Sequence, residues 1–486
     1  MREKLKLLGT DTAIYGVSTI VGRFLSFLLT PIYANLLAPG DLGTVATLYA
    51  YIAFLNVVYG YGMETAYFKY AATGEVGDAR QNFSVPFLSV LLSSLAFSYV
   101  LAMNAVPAAA LARIPDPDGS LVRYAAVILA LDAAAVIPFA ALRRERKAWT
   151  FAAIRIAGIT LNVGLNLWFL LALGWGVEGI FVSNVLSSAF VLALLIPTIV
   201  RRLDVRWHGG LYAALLRFGL PNVPAGIATM MIQVIDRPIL EALTDRATVG
   251  IYQANYRLGI FMMLVVSTFD FAWRPFFLSH SSDPDAKPLF ARVLTYYTLL
   301  MAAVFLTLSF FLEDIVRIPM FWGRSILPEA YWGGLPIVPV VLLAYVFLGM
   351  SGNIVAGIYI EKKTTRLPPI TFLGAAVNII ANLLLIPVLG IMGAALATLL
   401  SYMIMGVVTY IVSQRIYPVE YELARIGKIA VATATVFVVW LLIRDFPLAL
   451  LWKSVLLLAF VVLMMLLRFF RPSELSGLRA LLTRLP

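Results

Sequence analysis

The sequence predicts an all-α polytopic membrane protein with about 14 transmembrane helices, on three observations. Of its 486 residues, 61% are hydrophobic and 13% charged, against roughly 45 to 50% and 25% in a water-soluble domain, and mean hydropathy is +0.90. Apolar runs of the length that crosses roughly 30 Å of hydrocarbon, about 20 residues each, recur along the whole chain. Lysines and arginines gather in alternate loops, the pattern that orients polytopic proteins.

With the N-terminus placed inside, each span follows in turn. Span 1 (12–36) comes after the basic start Arg2, Lys4 and Lys6 and carries Arg23 at its middle, so it is expected to be retained rather than cleaved as a signal peptide. Span 2 (42–62) returns to an inner segment with Lys69 and Arg80, and spans 3 (83–105) and 4 (121–142) flank an outer segment with Arg113 and Arg123. The inner run Arg143, Arg144, Arg146 and Lys147 opens span 5 (150–173), and a glycine-rich outer turn leads to span 6 (179–200). Arg201, Arg202, Arg206 and Arg217 lie before or at the start of span 7 (212–235), whose outer connection to span 8 (249–271) holds Arg237 and Arg246. Arg274, Lys287 and Arg292 precede span 9 (293–312), and the longest outer loop, with Arg317 and Arg324, leads to span 10 (335–360). Lys362, Lys363 and Arg366 separate it from the pair 367–387 and 391–412; Arg415, Arg425 and Lys428 precede or open span 13 (426–443). Span 14 (447–467), reached past Arg444 and Lys453, ends before Arg468, Arg471, Arg479 and Arg484. By this reading 26 of the 37 basic residues are inside, 8 outside and 3 within spans. Both termini are therefore expected in the cytoplasm, and the net charge of +11 reports topology rather than a nucleic-acid partner.

A shift of 216 residues superposes Glu145-Arg146-Lys147 on Glu361-Lys362-Lys363, Asn162 on Asn378 and Asn166 on Asn382; a weaker match pairs the segments around Gly43 and Gly250. Spans 1–6 and 7–12 are thus read as copies of one unit. Six spans per copy keep both in the same orientation, related by a pseudo-two-fold axis along the membrane normal. The expected organisation is an N-terminal lobe over 1–206, a C-terminal lobe over 207–414, and two additional spans with a cytoplasmic tail over 415–486.

Several chemistries lack a sequence basis. The chain has no cysteine and two histidines, His208 and His280, which removes thiolate chemistry and leaves little for metal ligation. Gly174-Trp175-Gly176-Val177-Glu178-Gly179 spells GxGxxG, but no strand precedes it and it occupies a turn between helices. There is neither a phosphate-binding loop nor an HExxH motif. No loop exceeds about 25 residues, whereas a domain needs roughly 50 or more, so function is expected inside the bundle, without cofactor or metal and without enzymatic chemistry. A membrane glycan polymerase or ligase would need catalytic side chains in the outer loop 313–334, which offers Asp314, Arg317, Arg324 and Glu329 but no histidine.

Charges within spans carry the functional reading, because an arginine at the bilayer centre costs roughly 2.5 to 3.5 kcal/mol. Thr19, Arg23, Ser26 and Thr30 recur at helical spacing and form a polar stripe on span 1, facing either a wet cavity or an unidentified carboxylate. Arg257 lies one turn beyond Gln253, near Tyr252, Asn255 and Tyr256. Arg155 lines the cavity, snorkels to the headgroups, or pairs with Asp132. Asp132, Asp270 and Glu64 either couple transport to protons or sodium or neutralise the arginines. Asn162, Asn166, Asn378 and Asn382 either join helices by hydrogen bonds or face a sugar. Pro31, Pro221 and Pro224 mark kinks, static or mobile.

These residues resemble those of the oligosaccharide and polysaccharide flippases of the multidrug and oligosaccharidyl-lipid exporter superfamily. The resemblance rests on Thr12-Ala13-Ile14-Tyr15-Gly16, on Arg23-Phe24-Leu25 followed by Pro31, and on the turn from Leu37 through Pro39-Gly40-Asp41 to Gly43. Tyr61-Gly62-Met63-Glu64-Thr65-Ala66, Phe68-Lys69, Asp236-Arg237 and Gly250-Ile251-Tyr252 complete it. It implies two lobes about a V-shaped cavity that carries an undecaprenyl-diphosphate-linked glycan, of the surface polysaccharide or O-antigen type, across a bacterial cytoplasmic membrane. By resemblance the cavity cations are Arg23 and Arg257; Lys69 stands where close relatives carry arginine, which keeps the charge but loses the bidentate fork. The implied partners are a lipid-linked anionic glycan, bilayer lipids, H+ or Na+ as a coupling ion, and a polymerase or glycosyltransferases. A cation-coupled drug or metabolite antiporter and a peptidoglycan lipid-precursor flippase are the alternatives. An antiporter for organic cations calls for an acidic cavity.

Overall fold

The computed structural model describes residues 2–321, 323–444, 447, 449–471 and 474, with side chains from residue 20 onward except those of 320, 321 and 449. Among the described residues, twelve helices are long and apolar enough to cross a membrane, and Ile20–Leu36 and Leu450–Leu466 are shorter apolar helices. Twelve of the predicted spans overlap the long apolar helices, and the first and last overlap the two shorter ones. Lipid-facing side chains explain the hydropathy: Leu384 is 67% and Val388 79% exposed, an apolar surface that only hydrocarbon would cover.

The first half begins with α1 (Arg2–Leu36), α2 (Pro39–Gly60), α3 (Met63–Thr73), α4 (Ala79–Met103) and the short α5 (Ala105–Leu111). It continues with α6 (Ser120–Arg144), α7 (Ala148–Leu167), extended by a π turn over Trp168–Ala172, and α8 (Gly176–Val200). Helix starts follow local chemistry. Asp78 caps α4, accepting from the Arg80 and Gln81 amides at 2.9 and 2.8 Å while Gln81 Oε1 accepts from the Asp78 amide at 3.2 Å, which satisfies donors that a helix N-terminus leaves open. Gly174 and Gly176 have φ of 66° and 58° in the turn before α8, a conformation open to glycine and consistent with a turn rather than a dinucleotide loop.

In the second half spans 7, 8 and 10 are interrupted. Span 7 runs through α9 (Gly209–Gly219), a 3-10 turn over Leu220–Asn222 containing Pro221, α10 (Val223–Val234) and α11 (Asp236–Leu243). Span 8 runs through α12 (Arg246–Tyr256), a 3-10 turn over Arg257–Gly259, and α13 (Ile260–Ser279). Next come α14 (Ala286–Arg317), a small antiparallel hairpin of β1 (Pro319–Phe321) and β2 (Arg324–Ser325), and a 3-10 segment over Glu329–Ile337 leading into α15 (Val338–Ile354) and α16 (Ala356–Ile360). The chain then forms α17 (Leu367–Leu389), α18 (Ile391–Ile416), α19 (Leu423–Ile443) and α20 (Ala449–Leu466). The hairpin lies within the segment 313–334.

The sequence repeat has local structural counterparts. Arg146 and Lys362 both take left-handed φ, 56° and 54°. The following amides, of Lys147 and Lys363, each donate at 2.9 Å to the carbonyl five residues back. This is one helix-ending turn built twice. Helices α19 and α20, outside the repeat, are anchored rather than loose. Phe437 and Trp440 pack on Phe305 and Phe310 of α14 with ring centroids 5.3 and 5.2 Å apart, and Lys453 pairs with Asp314 at 2.6 Å.

The halves meet where α2 crosses α12. A Cβ on Gly43 would collide with the Arg246 carbonyl, and one on Gly250 with the Pro39 carbonyl, so backbone lies on backbone at this crossing. At the opposite end Gly62, with φ of 76°, abuts Gly219 in the same way.

Candidate substrate cavity

A cavity of about 560 Å3 is lined by Arg23, Ser26 and Phe27 of α1, Phe151 and Arg155 of α7, and Arg237 of α11. Gln253, Tyr256 and Arg257, around the break in span 8, and Tyr345 of α15 close it. Its volume falls in the usual range for ligand pockets, and among the described residues it holds four guanidinium groups and no acidic lining residue.

Each cation is placed by a specific feature. Arg23 Nη1 donates to Ser267 Oγ at 2.7 Å, tying α1 to α13 and aiming the rest of its fork inward. Arg257 occupies the 3-10 turn of span 8, and its Nη1 reaches Thr30 Oγ1 at 3.3 Å. Arg155 packs on the rings of Phe139 and Phe151, at 4.5 and 5.7 Å, a cation–π seat that leaves its edge available. Among the described residues no carboxylate approaches Arg23, Arg155 or Arg257 within 4 Å. The predicted alternative of an Arg155–Asp132 ion pair is therefore not formed; Asp132 instead accepts from Ser188 Oγ at 2.8 Å.

Arg237 corrects the sequence reading. Counted as an outer-loop residue, it lies in the cavity wall because the helix resumes as α11 beyond the apolar run. Its side chain is 7% exposed, its Nη1 meets Asp236 Oδ1 at 2.6 Å, and its Nε donates to Gln253 Oε1 at 3.0 Å. The signal was present: an Asp-Arg pair directly before Pro238, with Gln233 one turn upstream, is unusual composition for a solvated loop.

Other predicted residues disperse. Gln253, Ser26 and Arg155 join the cavity, whereas Tyr252 is fully buried behind it, donating to Asp236 Oδ2 at 2.5 Å. Lys69 does not reach the cavity; its ammonium sits over Phe218 at 4.4 Å and Tyr70 at 4.9 Å, near the Gly62–Gly219 contact. Glu64 pairs with Arg143 and Asp270 lies beside Gly352, neither lining the cavity. The Thr19 side chain lies outside the described residues.

The two asparagine pairs share one local geometry, and among the described residues only the first half's pair hydrogen-bonds to other helices. Asn166 Nδ2 donates to Asn162 O and Oδ1 at 2.8 and 3.1 Å, and Asn382 Nδ2 to Asn378 O and Oδ1 at the same distances. Tyr33 OH donates to Asn166 Oδ1 at 2.8 Å and Asn162 Nδ2 to Ser187 Oγ at 3.0 Å, joining α1, α7 and α8. None of the four faces the cavity.

The family model described as polysaccharide biosynthesis protein matches residues 32–327. Among solved structures, the fold is similar to that of the lipid II flippase MurJ in an inward closed conformation, with a TM-score of 0.75 and 16% identity, covering 94% of this chain and 98% of that one. It is also similar to the Vibrio cholerae MATE transporter VcmN, as its D35N mutant, with a TM-score of 0.62 and 14% identity over 85% and 98% of the two chains. A MOP superfamily transporter from Pyrococcus furiosus, described as having a binding pocket of reverse polarity, gives a TM-score of 0.57 at 14% identity over 87% and 96%. No curated protein sequence matches the chain.

Proposed function

Because the chain belongs to the polysaccharide biosynthesis protein family, we propose that it is a flippase moving an undecaprenyl-diphosphate-linked oligosaccharide from the cytoplasmic to the external leaflet. The observation that carries this reading is one intramembrane cavity with three guanidinium groups that have no carboxylate within 4 Å among the described residues. A diphosphate cannot shed its hydration into hydrocarbon, and forked guanidinium donors replace lost water with charge-assisted hydrogen bonds while the lipid tail stays in the bilayer. Arg23 and Arg257 hold the diphosphate and Arg155 assists from the α7 wall.

The lobes 1–206 and 207–414 rock about the cavity, and 415–486 braces the second. Both termini lie in the cytoplasm of a bacterial cell. ATP is not required: with an inside-negative potential, two negative charges moving outward gain about 4.6 kcal/mol per 100 mV. An antiporter for organic cations is disfavoured by a wall of arginines. The similarity to a lipid II flippase favours one further reading, the peptidoglycan precursor, which complementation of a strain lacking that activity distinguishes.

In cells carrying Arg23→Ala or Arg257→Ala, the lipid-linked intermediate should accumulate in the inner leaflet, with a fall in flipping of about tenfold or more, the scale of one charge-assisted hydrogen bond. Normal flipping by both variants at normal expression would sink this site assignment.

A further inference from the structure

The four cavity guanidiniums are not equivalent. Arg23, Arg155 and Arg257 present net positive charge, whereas Arg237 is neutralised by Asp236 at 2.6 Å, with the Asp236 side chain 1% exposed. Asp236 is in turn fixed by Tyr252 OH at 2.5 Å, so the carboxylate cannot swing away. Arg237 Nη1 donates to Gln233 O and Asp236 Oδ1, and Nε donates to Gln253 Oε1. Nη2 has no hydrogen-bond partner among the described residues, on a side chain that lines the cavity. With Gln253 Oε1 engaged by Arg237, its Nε2 donors are left for a ligand.

Aromatic faces flank these donors. The Arg237 guanidinium lies 4.5 Å from the Tyr256 ring centroid. Tyr345, whose ring stands 6.3 Å from that of Tyr256 at 66°, lines the same wall; its hydroxyl donates to Tyr256 OH at 3.5 Å and keeps a lone pair that can accept from a sugar hydroxyl. Fixed planar donors without net charge beside aromatic rings suit a neutral polyol with an apolar ring face. They suit a phosphate poorly, since the local field is cancelled at the Asp236–Arg237 pair.

We propose that Arg237, Gln253, Tyr256 and Tyr345 form a sugar subsite that holds the sugar attached to the diphosphate, while the three uncancelled arginines hold the phosphates. This inference rests on the lipid-linked glycan reading above. It divides the cavity into a charge-reading wall on α1 and α7, extended by Arg257, and a sugar-reading wall on α11, α12 and α15. Specificity for the first sugar then resides in the second wall.

The test uses the purified full chain in lipid nanodiscs with two probes, undecaprenyl diphosphate carrying one N-acetylhexosamine and undecaprenyl diphosphate without sugar. Gln253→Ala and Tyr345→Ala should each weaken binding of the glycosylated probe about tenfold, the scale of one or two lost hydrogen bonds, and leave the bare probe within about twofold. Arg23→Ala should weaken both probes by similar factors. Arg237→Lys keeps the ion pair's charge but loses the fork, and should follow the Gln253 pattern. Equal weakening of both probes by the Gln253 and Tyr345 variants, or no effect on either, overturns the subsite. Wild-type protein that binds neither probe overturns the lipid-linked glycan reading itself, and the subsite with it.

Discussion

At the scale of single residues, the environment of a charge decides its role more than its identity does. Glu64 and Glu145 are both carboxylates near the ends of spans, and both are taken up by arginine. Glu145 Oε1 accepts from Arg202 Nε at 2.6 Å, its other oxygen also meets Arg202, and Lys147 adds a contact at 2.8 Å. The Arg202 hydrogen bonds hold the Glu145 carboxyl down to about 2 from an ordinary 4.5. A depressed carboxylate contributes stability that is complete above its unfolded pKa and is lost as pH falls towards the folded one. Glu145→Gln should therefore lower the melting temperature in detergent at pH 7, with the gap from wild type closing between about pH 4.5 and pH 2. A gap independent of pH across that window would show that the pair contributes nothing through charge.

At the scale of elements, the breaks in spans 7 and 8 put Arg237 and Arg257 at the cavity. Backbone turns interrupt both helices, and a 3-10 segment is a common device where a helix must re-aim a side chain. The hairpin of β1 and β2 and the segment after it hold the end of α1. Asn35 Nδ2 donates to Ser325 O at 3.1 Å and Ile326 O at 3.2 Å, Arg324 Nη1 donates to Asn35 O at 2.9 Å, and Tyr331 OH donates to Leu37 O at 3.0 Å. A loop of the second half thus straps the end of α1. Because the chain has no cysteine, an Asn35→Cys/Ser325→Cys pair can be bridged cleanly with a short dithiol reagent. Bridging should abolish flipping, with activity retained before the reagent is added. Full activity after complete bridging would mean that the strap stays closed throughout transport.

At the scale of the whole molecule, two close backbone contacts join the halves, Gly43 with Gly250 and Gly62 with Gly219, and on the proposed topology the first lies toward the external side. Backbone contact at Gly43 leaves no room for a methyl group, so Gly43→Ala forces α2 and α12 apart. The expected result is greater labelling, from outside the cell, of a single cysteine placed at Tyr49, which lines a small chamber beside Arg257, together with loss of flipping. Unchanged labelling and flipping would show that the crossing is not where the cavity closes.

Much of this was legible in the sequence. A chain that must hide its backbone polar groups from hydrocarbon forms helices or a closed barrel; runs of about 20 apolar residues select helices, and alternating basic loops order them. Arg23, Arg155 and Arg257 were conspicuous because charge inside an apolar run is costly. The shift of 216 residues likewise anticipated the twin turns at Arg146 and Lys362 and the twin asparagine pairs. Only the tertiary structure decided that Arg237 belongs to the cavity, that Lys69 does not, and that Asp132 makes no ion pair with Arg155 within 4 Å. Hydropathy reads one segment at a time, whereas ion pairing and cavity lining depend on which helices meet, and that is fixed by close packing between residues hundreds of positions apart.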